Sequence, residues 1–290
     1  MTLPNAAPAP TASPAGDVFR VGYLTSADPG DQRRRLTPFE QHMEGTLSRP
    51  VELIPFREAR GLMSAIQRGQ VEYGIGPGSV FASLNVQCGC VEPIATQPSR
   101  SGVRGLFAGL VVRQDDALNR SQAFDELSPS RIGIIGEGSV VAHRVGLSEL
   151  VQSGVSVPVG SEADYLFFEN LDEGVNQLLG NQADALLIWT RQSSGEIFDS
   201  EPPAHTLTPE EKQQLRIIWR SRPVFEQTHF VSTELGSDFR ERLTQMIINV
   251  AFQNGDAFDA IDQGSGRPFE EVSLSDYAPL VDALRTWSGR

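Results

Sequence analysis

The sequence predicts an α/β fold arranged in two lobes. Short apolar segments typical of strands alternate with amphipathic stretches typical of helices along most of the 290 residues. The alternation runs through the first part of the chain and starts again near Arg131. At about 150 residues for an average domain, the chain is long enough for two such units.

The first unit begins with an apolar segment, Phe19–Leu24, that is typical of a strand. Apolar residues then recur every three to four positions, which predicts an amphipathic helix over Gln32–Leu47. A strand, a helix ending before Gly69 and another strand follow, at Val51–Pro55, Glu58–Arg68 and Val71–Ile75. The resulting β-α-β-α-β order is half of a doubly wound sheet.

A short helix over Ser79–Asn85 and a long apolar strand over Leu106–Arg113 lead to the second unit. That unit repeats the alternation, with strands at Arg131–Ile135, Asp164–Phe168 and Ala183–Trp189 and helices at Val140–Gln152 and Leu171–Leu179. A last strand and two helices are predicted at Leu215–Trp219, Ser237–Phe252 and Tyr277–Leu284. We therefore expect two Rossmann-like lobes around a cleft, lobe 1 from residues 17–112 plus 225–290 and lobe 2 from residues 113–224.

Charge and composition exclude several classes of function. Lys plus Arg number 24 against 37 Asp plus Glu, which gives a net charge of −13 and disfavours binding to nucleic acid or to an anionic membrane surface. Apolar runs reach about eight residues, far below the roughly 20 that span a bilayer. Residues Met1–Gly16 are rich in Pro, Ala and Ser and predict a disordered leader. They lack the basic and continuous apolar regions of a secretory signal.

Two glycine-rich segments between a predicted strand and a predicted helix are candidate anion sites. Unpaired N–H groups at a helix N-terminus attract anions, and glycine lets a ligand approach the backbone. In the second unit the candidate ligand residues are Gly138, Ser139, Val140 and Val141. In the first unit they are Gly76, Gly78 and Ser79. The structural alternative is an ordinary turn, in which Ser139 is simply the helix N-cap.

The remaining candidates are an arginine, a serine–histidine pair and two cysteines. Arg57 lies at the start of a predicted helix and could form bidentate bonds to an oxyanion, although exposed arginines are usually only solvated. Ser139 and His143 could form a nucleophile and base, but the GxSxG motif is absent, so we predict no enzyme activity. Cys88 and Cys90 are too close for a relaxed disulfide. We favour two small buried thiols over a metal site, and we predict no metal and no cofactor.

The chain resembles a known family through the order and spacing of many short segments between about residues 18 and 284. The first lobe contributes Phe19–Leu24, Thr37-Pro38-Phe39, Gln67-Arg68-Gly69 and Val71–Pro77. Later segments are Leu110–Asp116, Ala123–Leu127, Gln182–Ala185, Leu215–Ser221 and Asp276-Tyr277. In these segments the chain is similar to the PhnD-like phosphate-, phosphite- and phosphonate-binding proteins of ABC importers.

The resemblance implies the type II periplasmic-binding-protein architecture and a function in solute capture. Ser139 corresponds to the first residue of the turn on which the family cradles a phosphonate, and Asp172 and Asp184 correspond to ligand-binding positions. The implied partners are a small anionic solute and an ABC permease in the membrane, for a monomer located in the periplasm. An extracytoplasmic sensor that signals to a membrane kinase is the alternative, since the same cleft would serve it.

Overall fold

The computed structural model describes residues 18–114, 131–155, 165–191 and 207–288. The predicted leader, Met1–Gly16, lies outside the described residues. Within them, no helix is both long enough and apolar enough to cross a bilayer.

Eleven strands form two sheets in the part of the chain that the structure describes. They are β1 Phe19–Leu24, β2 Val51–Phe56, β3 Tyr73–Pro77, β4 Val91–Thr96, β5 Phe107–Arg113, β6 Ile132–Ile135, β7 Tyr165–Phe168, β8 Ala185–Thr190, β9 Leu215–Arg220, β10 Gln227–Ser232 and β11 Glu270–Glu271. The first sheet has the order β11-β4-β10-β3-β1-β2 and the second the order β7-β6-β8-β5-β9. The predicted α/β class with two lobes is confirmed.

Helices cover both sheets. They are α1 Pro29–Leu47, α2 Ala59–Gln67, α3 Gly78–Cys88, α4 Gly146–Gln152, α5 Leu171–Leu179, α6 Pro209–Gln214, α7 Ser237–Gln253, α8 Gly255–Ile261 and α9 Ala278–Ser288. A π-helical turn, Val140–Val145, runs directly into α4, and a short 3₁₀ helix, Leu274–Tyr277, precedes α9. The sequence predicted Val140–Gln152 as one regular helix, so the wider first turn is a difference.

Parallel strands in each sheet place their carboxyl ends at one edge. Strand β1 pairs in parallel with β2 and β3, and β6 pairs in parallel with β7 and β8. The helices α2, α3 and α5 and the π-helical turn all start where one of these strands ends. In α/β sheets this edge is where ligands bind.

The chain passes from the first sheet to the second between β4 and β5 and returns between β9 and β10. Strand β5 is antiparallel to β8 and β9, so Phe107–Arg113 belongs to the second sheet. The expected boundary at residue 112 is wrong for this strand. The apolar pattern of Phe107–Arg113 indicates a buried strand, but it does not indicate to which sheet the strand belongs.

The first sheet is covered on its two faces by separate clusters of buried side chains. One cluster joins it to α1, α7 and α8, and the other joins it to α2, α3 and α9. Val145 of the second lobe lies in the latter cluster, together with Val224 and Phe225 from the segment that returns to the first sheet. The two lobes therefore share apolar packing beside α9.

Candidate functional site

The turn after β6 is held in place by backbone hydrogen bonds. Gly136 has φ +75°, a left-handed conformation that favours glycine. Its N–H donates to the carbonyl of Phe168 at 2.8 Å, and the N–H of Ser139 donates back to the Gly136 carbonyl at 2.9 Å. This geometry turns the chain at the carboxyl edge of the second sheet and directs it into the following helix.

Ser139 is the N-cap of that helix. Its Oγ accepts a hydrogen bond from the N–H of Ala142 at 3.1 Å. Helix geometry leaves the N–H groups of Val140 and Val141 without an acceptor in their own helix. Gly138 is exposed, and Ser139, Val140 and Val141 are half-buried. These four predicted residues therefore come together at a solvent-accessible helix N-terminus, an arrangement that can bind an anion.

The buried side chain of His143 contacts this turn. Its Nδ1 lies 2.9 Å from the carbonyl oxygen of Glu137, and its ring packs edge-on against Phe167 at 5.1 Å between centroids. The imidazole is only 3% exposed. The Ser139 hydroxyl accepts the N-cap hydrogen bond. Structural contacts therefore account for the positions of both Ser139 and His143.

The glycine-rich segment of the first lobe differs from expectation. Strand β3 continues through Pro77 and α3 begins at Gly78, with no turn between them. The N–H of Gly78 donates to the carbonyl of Glu226 at 3.0 Å. A Cβ at this position would lie 2.3 Å from the carbonyl oxygen of Phe225. Gly78 is therefore explained by close packing, and its N–H is already used.

The other two first-lobe candidates are placed differently from each other. Gly76 is buried and pairs with Thr228 of β10, so its backbone belongs to the sheet. Ser79 is half-buried in the first turn of α3. Arg57 is exposed between β2 and α2, at the same edge of the sheet as Ser79. Only Ser79 and Arg57 of the first-lobe candidates thus keep groups that a ligand could reach.

Val140 and Val141 connect the second-lobe helix to the first lobe. Both pack against the buried cluster that joins the first sheet to α2, α3 and α9. Other partly buried apolar side chains on the same cluster are Leu24, Phe56, Ala59 and Met63. Leu24 and Phe56 end β1 and β2, and Ala59 and Met63 lie on α2. Val140 and Val141 thus share a buried apolar cluster with first-lobe side chains, which sequence reasoning missed because apolar residues at strand ends resemble ordinary core residues.

Asp172 and Asp184 lie at opposite edges of the second sheet. Asp172 is in the first turn of α5, beyond the carboxyl end of β7, and so shares an edge with the Ser139 turn. Asp184 precedes β8, and its carboxylate accepts bonds from the Arg131 guanidinium at 2.7 Å and backbone N–H at 3.0 Å. Since Ile132 pairs with Ala185, Asp184 is about five residues, or roughly 17 Å, from Gly136. The structure does not bring Asp184 to the candidate site.

The cysteine prediction is wrong. Cys88 and Cys90 form a disulfide, with 5.1 Å between their Cα atoms, and Cys88 is exposed. Gly89 lies between them with φ +60°, and this left-handed residue lets the chain fold back far enough for the two sulfur atoms to meet. Among the described residues, no group of three or more His, Cys, Asp or Glu side chains could hold a metal ion.

Comparison with known proteins agrees with this architecture. Among solved structures, a Xanthomonas citri protein bound to ATP matches with a TM-score of 0.59 and 18% identity over 93% of this chain and 98% of its own. A binding protein component of an ABC phosphonate transporter from Pseudomonas aeruginosa matches with a TM-score of 0.50 and 15% identity over 94% and 87%. Transferrin 1 from Manduca sexta matches with a TM-score of 0.60 and 10% identity over 93% and 46%. These likenesses show the shared fold.

A family model decides the classification. No curated protein sequence matches the chain. The model described as "ABC transporter, phosphonate, periplasmic substrate-binding protein" matches residues 21–285, which include every candidate site residue and both sheets except the first two residues of β1. The chain therefore belongs to the family of periplasmic substrate-binding proteins of phosphonate ABC transporters, whose members are transporter components and not enzymes.

Proposed function

We propose that this protein captures a small oxyanion, a phosphonate, a phosphate ester or a similar solute, for an ABC importer. The observation that carries the proposal is the helix N-terminus at Ser139–Val141, which lies on the carboxyl edge of the second sheet and packs against the first lobe. Family membership supports transport as the purpose of binding. The periplasm and a monomeric state are part of the same proposal.

The chemistry of the site suits an anionic group attached to an organic substituent. The N–H groups of Val140 and Val141 are directed along the helix axis, where the helix dipole adds positive potential. Arg57 supplies an exposed cation at the first-lobe edge. The apolar side chains of Phe56 and Met63 offer contact to an alkyl or aryl group. Movement of the lobes about their two connections would enclose the solute and exclude water.

Partners follow from the family. Its members work with an ABC permease, and we propose that the closed form of this protein presents the solute to such a permease. The acidic net charge of −13 argues against nucleic acid as a partner. No feature of residues 18–114, 131–155, 165–191 and 207–288 favours the sensor alternative over transport.

The test starts with a thermal-shift screen of the full chain. The panel contains phosphate, phosphite, methylphosphonate, aminoethylphosphonate, alkanesulfonates and sulfate. It also contains ATP, because the Xanthomonas citri relative was solved with ATP. A ligand at 100 times its Kd stabilises the fold by about 2.7 kcal/mol, a rise of a few degrees for a protein of this size. A shift that is specific to phosphorus oxyanions supports the proposal, and a flat response to all of them contradicts it.

Two substitutions at Ser139 then locate the site. Aspartate and asparagine are both good N-caps of similar shape, so S139D and S139N should both fold like the parent. S139D adds a negative charge beside the bound anion, and we expect it to weaken binding at least ~100-fold, while S139N changes the Kd less than ~5-fold. Isothermal titration with the best solute measures both. Equal affinities for S139D and S139N would show that the solute binds elsewhere.

A further inference from the structure

The Cys88–Cys90 disulfide closes a very small ring, since only Gly89 separates the two cysteines. A disulfide stabilises a fold mainly by restricting the unfolded chain, and this effect becomes smaller as the loop that it closes becomes shorter. The backbone already limits the separation of two residues that lie two positions apart. A disulfide between them therefore removes little further conformational freedom from the unfolded chain. Stabilisation of the fold is therefore a poor explanation for this disulfide.

The backbone around the disulfide is held by other interactions. The N–H of Gly89 donates to the Asn85 carbonyl at 3.0 Å, which caps the end of α3. The carbonyl of Cys90 accepts from the N–H of Thr233 at 3.0 Å, which anchors the chain where it enters β4. Cys90 also packs against the buried cluster beneath α3. These contacts do not depend on the sulfur–sulfur bond, so the local fold can tolerate its reduction.

The two cysteines of the disulfide differ in their exposure to solvent. Cys88 is exposed at the last position of α3, whereas Cys90 is half-buried. Gly89 is exposed, and a Cβ added to it would meet no atom of the described residues within 4 Å. Residues 85–91 carry no charge, and the nearby Glu92 carboxylate is paired with Arg240. An incoming thiolate can thus reach the exposed Cys88, and no residue from 85 to 91 carries a charge that would repel it.

We propose that Cys88 and Cys90 form an exchangeable disulfide on the surface, a two-electron couple that oxidises dithiols of peptides or proteins. A substrate thiolate attacks Sγ of Cys88, the Cys88–Cys90 bond breaks, and Cys90 leaves as a thiolate and takes up a proton. The second substrate thiol loses its proton and attacks the substrate sulfur of the mixed disulfide. The substrate disulfide forms, and Cys88 leaves as a thiolate and is protonated. Two electrons and two protons pass from the substrate to the cysteine pair.

The first experiment compares the oxidised and reduced full chain without denaturant. Dithiothreitol should release two titratable thiols from the folded protein, and the unfolding midpoint of the reduced form should lie within ~3 °C of the oxidised form. The double variant C88S/C90S serves as the reference without a disulfide and should have the same midpoint as the reduced protein. Resistance to reduction until the protein unfolds, or a larger fall in the midpoint, would show a structural cross-link and overturn the proposal.

The second experiment measures exchange and its direction. A dithiol peptide mixed with the oxidised protein should become a peptide disulfide, two mass units lighter, in one equivalent, and C88S/C90S should produce none above background. The exposed thiol in C90S should react with oxidised glutathione at least ~10 times faster than the half-buried thiol in C88S. Absence of peptide oxidation by the parent protein, or equal rates in the two single variants, would contradict the assignment of Cys88 as the attacked sulfur.

Discussion

Arg222 joins the two lobes through the carboxylate of Glu149. Nη2 of Arg222 lies 2.7 Å from Oε1 of Glu149, and its Nε and backbone N–H lie 3.1 Å and 3.3 Å from Oε2. The Glu149 side chain, on α4 of the second lobe, is only 7% exposed. Arg222 lies in the segment that returns to the first sheet and also approaches Asp282 of α9 at 3.9 Å. Arg222 thus links the segment that returns to the first sheet with both α4 and α9 at the joint between the lobes.

Replacing Arg222 should destabilise the fold. R222A leaves a buried carboxylate without its cation, and we expect the free energy of unfolding to fall by about 2 kcal/mol. Urea unfolding measures the change. The matched control is R34A, because Arg34 pairs with Asp31 on an exposed helix surface and should contribute less than about 0.5 kcal/mol. Equal effects of the two substitutions would mean that Glu149 is stabilised without Arg222.

Gly78 should be intolerant of a side chain. The Cβ of G78A would lie 2.3 Å from the Phe225 carbonyl oxygen, so either α3 or the segment between the sheets must move. That movement would also lengthen the hydrogen bond from Gly78 to Glu226. We expect a loss of about 2 kcal/mol in the free energy of unfolding. G45A in α1 is the control, since its Cβ would meet no atom within 4 Å, and it should stabilise by about 0.5–1 kcal/mol.

Removal of one backbone donor tests the proposed anion site. Proline is tolerated at the first position of a helix, so V140P should keep the fold while it deletes the Val140 N–H. Ser139 has φ −65° and ψ 118°, which a following proline accepts. Loss of a hydrogen bond to a charged group should weaken binding of the solute found in the screen by about 10- to 100-fold. S237P makes the same change at the start of α7 and should leave affinity unaltered. An unaltered Kd in V140P would exclude this N–H as a ligand donor.

His229 should make the fold sensitive to acid. Its side chain is fully buried, its Nδ1 lies 2.5 Å from the hydroxyl of Tyr73, and burial lowers its pKa to about 3. His229 therefore takes up a proton near pH 6.5 in the unfolded chain but only near pH 3 in the folded protein. Stability consequently falls as the pH decreases between these values, by about 1.4 kcal/mol per pH unit at most.

The measurement is the free energy of unfolding at pH 7, 6, 5 and 4. H229Q removes this titration, so its slope against pH should be flatter than that of the parent protein. Burial also lowers the pKa of His42, which is less buried, and H42Q should flatten the slope less. A parent and an H229Q variant with parallel pH profiles would contradict the role of His229.

Several helices and strands could be predicted because their signals are local. The strand Phe19–Leu24 and the helix Leu171–Leu179 have the bounds that apolar spacing predicts. The strands β4 and β10 were missed, and both lie inside the first sheet. Pro93 in β4 and the polar residues Gln227, Thr228 and His229 in β10 obscure the apolar pattern that a buried strand usually shows.

The residues of the candidate site also differ in whether a local sequence pattern could predict their role. Ser139 could be assigned as a helix N-cap because a hydroxyl residue between a glycine-rich turn and an apolar run is a local pattern. Asp184 could not be excluded from the site, because its position depends on the parallel register of β6 and β8 and on a contact with Arg131, 53 residues away. The occupied N–H of Gly78 likewise depends on Glu226, which is distant in sequence.

The apolar periodicity of the chain was enough to establish the α/β class, most of the helices and the helix N-terminus at Ser139, because these depend on residues within one or two turns of each other. Tertiary contacts alone assigned β5 to the second sheet, closed the disulfide between Cys88 and Cys90, and packed Val140 and Val141 against the buried cluster of the first lobe. The physical reason is that sheet order, register and packing between lobes are set by interactions between distant segments, which no local pattern encodes.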